Sequence, residues 1–223
     1  MKTLVVAPHP DDELIGCGGT LLRRLHEGGV VGVVMMTSIN SSPAFSQDIK
    51  QRRDAEIEAV RSRLGVASKD FFKLDYPTTE LDQVPMGILV NSLSKVFSEF
   101  QPEEVFLPCP VDVHSDHRVA FEAAGACTKR FRYPSIKRVA IYETVSETDF
   151  AVDSSRAQFS PNYFVDISCF LKRKNDLMSI YASEFSDAPF PRSLQVINSL
   201  ASLRGAQMGA MAAEAFQIIR QFE

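Results

Sequence analysis

Three of the four histidines in this chain lie in two short polar blocks, Ala7-Pro8-His9-Pro10-Asp11-Asp12-Glu13 and His114-Ser115-Asp116-His117-Arg118. Imidazoles packed among carboxylates are the groups a hydrolytic metal site needs. A catalytic zinc takes three nitrogen or oxygen ligands and keeps one position open. His9 and Asp12, three residues apart, can converge on one point from a tight turn that Pro10 stiffens. His117, expected on a remote loop, would supply the third ligand. Asp11 adjoins a ligand without having to be one, so it could act as base toward water whose pKa the ion lowers from 15.7 toward ~7. His114 could face the same pocket and, as imidazolium, stabilise an oxyanion or protonate a departing amine. Asp116 and Glu13 could hold these groups in place, for example by fixing an imidazole tautomer. Each block also has a bland reading, as a helix N-terminal carboxylate cluster or a solvated loop. Finding both, each beyond an apolar run, favours the chemical reading. The fourth histidine, His26, precedes Gly28-Gly29 and reads as a helix C-terminal partner.

The elements that must position these blocks are legible in the apolar pattern. Thr3 to Ala7 reads as a buried strand and Glu104 to Leu107 as another, so both blocks lie beyond strand C-termini, where open α/β sheets bind ligands. Gly16-Cys17-Gly18-Gly19-Thr20 leads into a helix carrying Leu21, Leu22 and Leu25. Strands are expected at Val30 to Met36, Phe71 to Leu74 and Val139 to Tyr142. Helices are expected at Asp48 to Leu64, Met86 to Phe100 and Val119 to Lys129. Beyond residue 150, Phe164 to Ile167 reads as extended, with Ser168 capping a helix to about Tyr181 and a last helix from Met208 to Gln221. The alternation predicts an α/β, Rossmann-like fold with a mostly parallel sheet and helices on both faces, in a single domain over residues 1–223.

Composition narrows the classes. The chain is 45% hydrophobic with net charge −4, leaving no basic excess for nucleic acid. Lys129-Arg130-Phe131-Arg132 and Lys172-Arg173-Lys174 read as solvated helix faces or ends. Four scattered cysteines form no Cys-x-x-Cys pair or disulfide framework. No apolar run approaches the ~20 residues of a membrane span, and Lys2 leads directly into a strand. The expected location is cytoplasmic, with no nucleic-acid or membrane partner.

At these residues the chain resembles the LmbE-like (PIG-L) superfamily of zinc-dependent N-acetylglucosaminyl deacetylases. Val5 to Thr20 matches one family block throughout, and Asp112 to His117 matches the second. Weaker echoes are Arg53-Asp54-Ala55-Glu56, Tyr142-Glu143 and Ala213-Glu214-Ala215-Phe216. The resemblance implies one Zn²⁺ (Fe²⁺ also suits such ligands) held by His9, Asp12 and His117. It makes Asp11 the base and His114 the acid or transition-state stabiliser, oriented by Asp116. Arg53 resembles a substrate-contacting arginine, against a simple ion pair on the helix surface. The implied reaction removes an N-acetyl group from a soluble acetamido-sugar conjugate, water attacking at the zinc. Homo-oligomerisation stays open, several members being trimers or hexamers. One departure stands out: Thr78-Thr79 replaces an Asp-Gly pair common in members, so Asp75 or Glu80 is a candidate stand-in.

Three rival readings compete. A metal-dependent phosphoesterase would need more carboxylate ligands than these blocks provide. A catalytically degenerate binding protein would keep the fold without the complete set of ligands and base. A dinucleotide-binding module is disfavoured because the glycines do not follow G-x-G-x-x-G and an acidic block precedes them.

Overall fold

The computed structural model describes residues 1–152 and 158–223. Within them β1 (Lys2–Ala7), β2 (Val30–Ser38), β3 (Phe71–Pro77), β4 (Glu104–Leu107), β5 (Arg138–Tyr142), β6 (Tyr163–Asp166) and β7 (Ala213–Gln221) form one sheet. The order is β3-β2-β1-β4-β5-β7-β6, parallel through β5 and antiparallel at β7 and β6. Chain direction across the sheet reverses at β1 and β4, neighbours that are not consecutive in sequence. The crevice at their C-terminal ends is the topological switch point, and the two polar blocks emerge there.

Strand β1 is apolar without alternation because both its faces are covered. Val5 and Ala7 join one core with Leu14 and Leu21 of α1 (Asp12–His26) and Ile57, Val60 and Leu64 of α2 (Gln47–Leu64). Leu4 and Val6 join a second core with Leu93, Val96 and Phe97 of α3 (Met86–Phe100) and Ala120 and Ala123 of α4 (Ser115–Ala126). Burying each such Leu or Phe stabilises the fold by roughly 1.5–3 kcal/mol, so the central strand is anchored by both cores. Two glycines let α1 sit close. A Cβ on Gly16 would lie 2.3 Å from the Tyr142 ring, and one on Gly19 would lie 2.7 Å from Ile167.

The last third departs from expectation. Helix α6 spans Leu194–Met208, capped by Ser193, whose hydroxyl accepts from the Val196 N–H, and Gly209 ends it at φ 82°. The segment read as a last helix is strand β7. Its helix-forming residues yield to two-sided pairing with β5 and β6, tertiary pairing overriding propensity. Helix α5 (Leu171–Met178) begins after Phe170, not at Ser168. The Ser168 hydroxyl and N–H both donate to Asp166 Oδ1 instead. Lys174 is not solvated: it is buried, donating to Glu214 Oε1 and Ile15 O at 2.7 Å each. Glu214 also accepts the Gly19 and Thr20 N–H groups, so this pair ties α5 and β7 to α1. Among the described residues no helix is long and apolar enough to cross a membrane.

Candidate active site

Both polar blocks start helices. Asp11 caps α1, with Asp12 and Glu13 in its first turn; His114 caps α4, with Asp116 and His117 in its first turn. The expected start of the second helix at Val119 is four residues late, and His117 stands on the helix rather than on a loop. The carboxylates do suit helix N-termini, so the bland reading and the chemical one describe the same residues.

His9, Asp12 and His117 come together. Asp12 Oδ2 lies 3.5 Å from His9 Nδ1 and 3.2 Å from His117 Nε2, and all three can offer donor atoms within 4.8 Å of one another. Behind each imidazole stands another carboxylate. His117 Nδ1 is 2.8 Å from Asp112 Oδ2, and His9 Nε2 is 3.0 Å from Asp116 Oδ2. Asp112 is held in turn by the Thr148 hydroxyl at 2.6 Å. The inward-facing atoms are poorly satisfied: His117 Nε2 and Asp12 Oδ1 are buried with no hydrogen-bond partner. Buried polar atoms are rarely left so. A nitrogen and an oxygen orphaned beside a third donor, with the outer ring nitrogens already engaged, fit a divalent cation.

The electrostatics agree. Burial would lower the two imidazoles, yet hydrogen bonds donated to Asp116 and Asp12 raise His9 to about 9. The Asp12 charge and the Asp112 contact raise His117 to about 10. Burial likewise works against Asp12, but the two histidines hold its carboxyl well below the usual range. Without a metal, positive charge on these rings occupies the place of a cation.

Asp11 stands beside this cluster in a backbone conformation few non-glycine residues adopt, φ 119°. Its surroundings over-determine it. Its N–H donates to Glu13 Oε2, its carbonyl accepts from the Leu14 and Ile15 N–H groups, and its Oδ2 accepts from Arg192 Nη1 at 2.9 Å. Glu13 is held by the Tyr181 hydroxyl, and burial raises it to about 7. Burial pushes Asp11 well above the usual carboxylate range while Arg192 pulls it back. Asp11 Oδ1 is buried and unpartnered.

His114 packs edge-on against His9, with ring centroids 4.5 Å apart. Its Nδ1 accepts the Asp116 N–H at 3.1 Å, so a neutral ring carries its proton on Nε2. Burial and the neighbouring His9 charge lower it to about 4. That shift favours the neutral imidazole over the imidazolium. Asp116 does not orient this ring with its carboxylate, which is committed to His9 and to the Thr79 and Leu81 N–H groups.

A cavity of about 260 Å³ opens beside these groups, lined among others by His9, Asp11, His114, Arg53, Thr78 and Thr79. Asp75 and Glu80 do not line it. Arg53 reaches it and is ion-paired with Glu56 at 3.4 Å and with Glu184. A larger cavity, about 390 Å³, lies near β5 and α6. Its Glu143 and Arg204 are bonded to each other, and none of the clustered histidines reaches it. Sequence reasoning missed Asp112, Glu147, Glu184 and Arg192. Asp112 carried a signal, opening the family block that ends at His117. Arg192 carried none, since only folding brings the α5–α6 connection to Asp11.

The profile of one family, described as PIG-L, GlcNAc-PI de-N-acetylase, matches residues 4–128, more than half of the chain and both polar blocks. The chain belongs to the PIG-L family. Among similar PIG-L relatives is the diacetylchitobiose deacetylase of Thermococcus kodakarensis, 25% identical over 98% of this chain and 83% of the relative. Another is a Bacillus anthracis protein named probable N-acetyl-alpha-D-glucosaminyl L-malate deacetylase 2, 25% identical over 82% of this chain and 81% of that one. The crystal structure of a conserved protein from Thermus thermophilus superposes with TM-score 0.79 at 26% identity, covering 99% of this chain and 96% of its own. This structural likeness extends past the matched profile into α5, α6 and β7.

Proposed function

We propose that this PIG-L protein is a metal-dependent hydrolase that removes the N-acetyl group of an acetamido sugar. The carrying observation is that His117 Nε2, Asp12 Oδ1 and Asp11 Oδ1 are buried without partners at the switch point, next to a cavity. Relatives named as deacetylases of diacetylchitobiose and of an N-acetylglucosaminyl conjugate support the substrate class. His9, Asp12 and His117 would hold the ion, zinc or ferrous iron. When bound there, it supplies a Lewis acid that polarises an amide carbonyl and acidifies water.

The remaining steps belong to the chain. Asp11 Oδ1 accepts a proton from the water that attacks the acetyl carbon, while Arg192 fixes the other oxygen of the carboxylate. His114 donates from Nε2–H to the carbonyl oxygen as negative charge gathers on it. The carbon–nitrogen bond breaks, acetate leaves, and the proton held by Asp11 passes to the departing nitrogen, giving the free amine. Glu147 links the two segments: it accepts the His114 backbone N–H through Oε2 and Arg192 Nη2 through Oε1.

The test is the metal content of unchelated protein by elemental mass spectrometry, beside His117→Ala and an assay of amine release from N-acetylglucosamine derivatives. About one ion per chain in the wild type, lost in the variant, with amine release that follows metal content, is the expected result. No bound metal after incubation with zinc would overturn the reading.

A further inference from the structure

The cavity has two kinds of lining. His9, Asp11, His114, Arg192 and Glu184 are polar, whereas Ile39, Phe45, Ile49 and Ile57 form an apolar surface. Ile49, Arg53 and Ile57 stand four residues apart on α2, and so lie along one stripe of that helix. Ile57 is buried, while Ile49 and Phe45 are 47% and 36% exposed. An apolar surface that continues from a buried isoleucine out to solvent beside a reactive cluster offers a ligand a dry contact.

The cavity's cations are already committed. Arg53 is paired with Glu56 and Glu184, and Arg192 with Asp11, Glu147 and Glu184, at 2.9 Å for Asp11 and 3.2 Å for Glu147. Four carboxylates share two guanidinium groups, and among the described residues no lysine lines the cavity. A phosphate or carboxylate entering here would lose its water next to like charge, and among the described residues both guanidinium groups it could reach are already paired.

Resting on the deacetylase reading, we infer that the substrate is an uncharged acetamido sugar bearing an apolar aryl or alkyl group, which lies against Ile39, Phe45 and Ile49. At about 260 Å³ the cavity falls below the ~300–1,000 Å³ common for ligand sites. It suits one sugar ring, with the attached group laid along the exposed isoleucine and phenylalanine.

The zinc-loaded chain is assayed for amine release from the phenyl glycoside of N-acetylglucosamine, N-acetylglucosamine itself, its 6-phosphate and its malate conjugate. Calorimetry of the first and third on metal-free protein gives a readout independent of turnover. The phenyl glycoside is expected to exceed the free sugar by about tenfold in kcat/KM, the size of effect an apolar contact supplies, with both anionic sugars below it. Phe45→Ala and Ile49→Ala should bring the ratio of phenyl glycoside to free sugar toward one. Glu184→Gln, which releases part of the charge on Arg53 and Arg192, should raise affinity for the 6-phosphate several-fold. Equal or better use of the anionic sugars by the wild type, or an unchanged ratio in both alanine variants, would overturn the inference. If no sugar is turned over, the deacetylase reading fails, and calorimetric preference for the phosphate over the phenyl glycoside overturns this inference separately.

Discussion

Arg192 donates to Asp11 Oδ2 at 2.9 Å, while Asp11 Oδ1 is buried without a partner. One oxygen of the proposed base is thus clamped and the other is left to take a proton. Asp11→Asn spares the three candidate ligands and removes the base, so metal content should hold while kcat falls by on the order of 10²–10⁴. Full activity in that variant would dismiss the role. Removing the guanidinium also raises the Asp11 pKa, because its positive charge favours the carboxylate. Arg192→Ala should therefore move the acid limb of the kcat/KM profile to higher pH, with Arg192→Lys in between. A lower kcat with an unmoved limb would show that Arg192 acts elsewhere.

Metal binding and protonation should compete at the same nitrogens. His9 and His117, raised to about 9 and about 10, bind more protons in the folded metal-free chain than when unfolded, where histidine titrates near 6.5. The stability they contribute is complete below about 6.5 and is lost as pH climbs through 9 to 10. The Tm of chelated protein is thus expected to fall between pH 7 and pH 10. Zinc binding at pH 7.5 should release about two protons, read by calorimetry in buffers of different ionisation enthalpy. Release of none would mean that these rings are neutral before the ion arrives.

Asp112 is expected to act on metal affinity without touching the ion. It fixes His117 through Nδ1, and loss of such an outer carboxylate usually costs 10–100-fold in affinity. Asp112→Asn should weaken zinc binding by about that factor, against near-complete loss in His117→Ala. Equilibrium dialysis separates the two, and equal losses would place Asp112 among the ligands instead.

The parallel half of the fold was legible because its central strands β1, β2 and β4 are buried on both faces, and the chain is punctuated by Gly65, Pro108 and the polar blocks. Since those blocks follow β1 and β4, their convergence at the switch point was legible as well. The end of the chain was not. Ala213 to Gln221 is rich in helix formers, and only its partners β5 and β6, remote in sequence, make it a strand. Lys174 looked like one of three solvated cations until Glu214 met it from β7. The direction of the Asp116 carboxylate was hidden for a similar reason: beside His114 in sequence, it is turned by the α4 helix toward His9.

Thr79 tests the departure at Thr78-Thr79. It lies at φ 65°, a left-handed conformation in which a β-branched residue is strained. Its N–H is nonetheless bound to Asp116 Oδ2 at 2.7 Å, and the same oxygen faces His9 Nε2. A glycine would adopt this conformation freely and keep the N–H, so the threonine is a cost to the fold. Removing Cβ should recover roughly 1–2 kcal/mol of left-handed strain, offset by the roughly 0.5–1 kcal/mol of extra chain freedom glycine loses on folding. Thr79→Gly is therefore expected to leave stability unchanged or raise Tm by about 2–4 °C for a domain of this size. Thr79→Val keeps the strain and should give no gain. A clear loss of stability in the glycine variant would show that the Thr79 side chain makes up for its own strain. The threonine would then be a built part of the cavity wall.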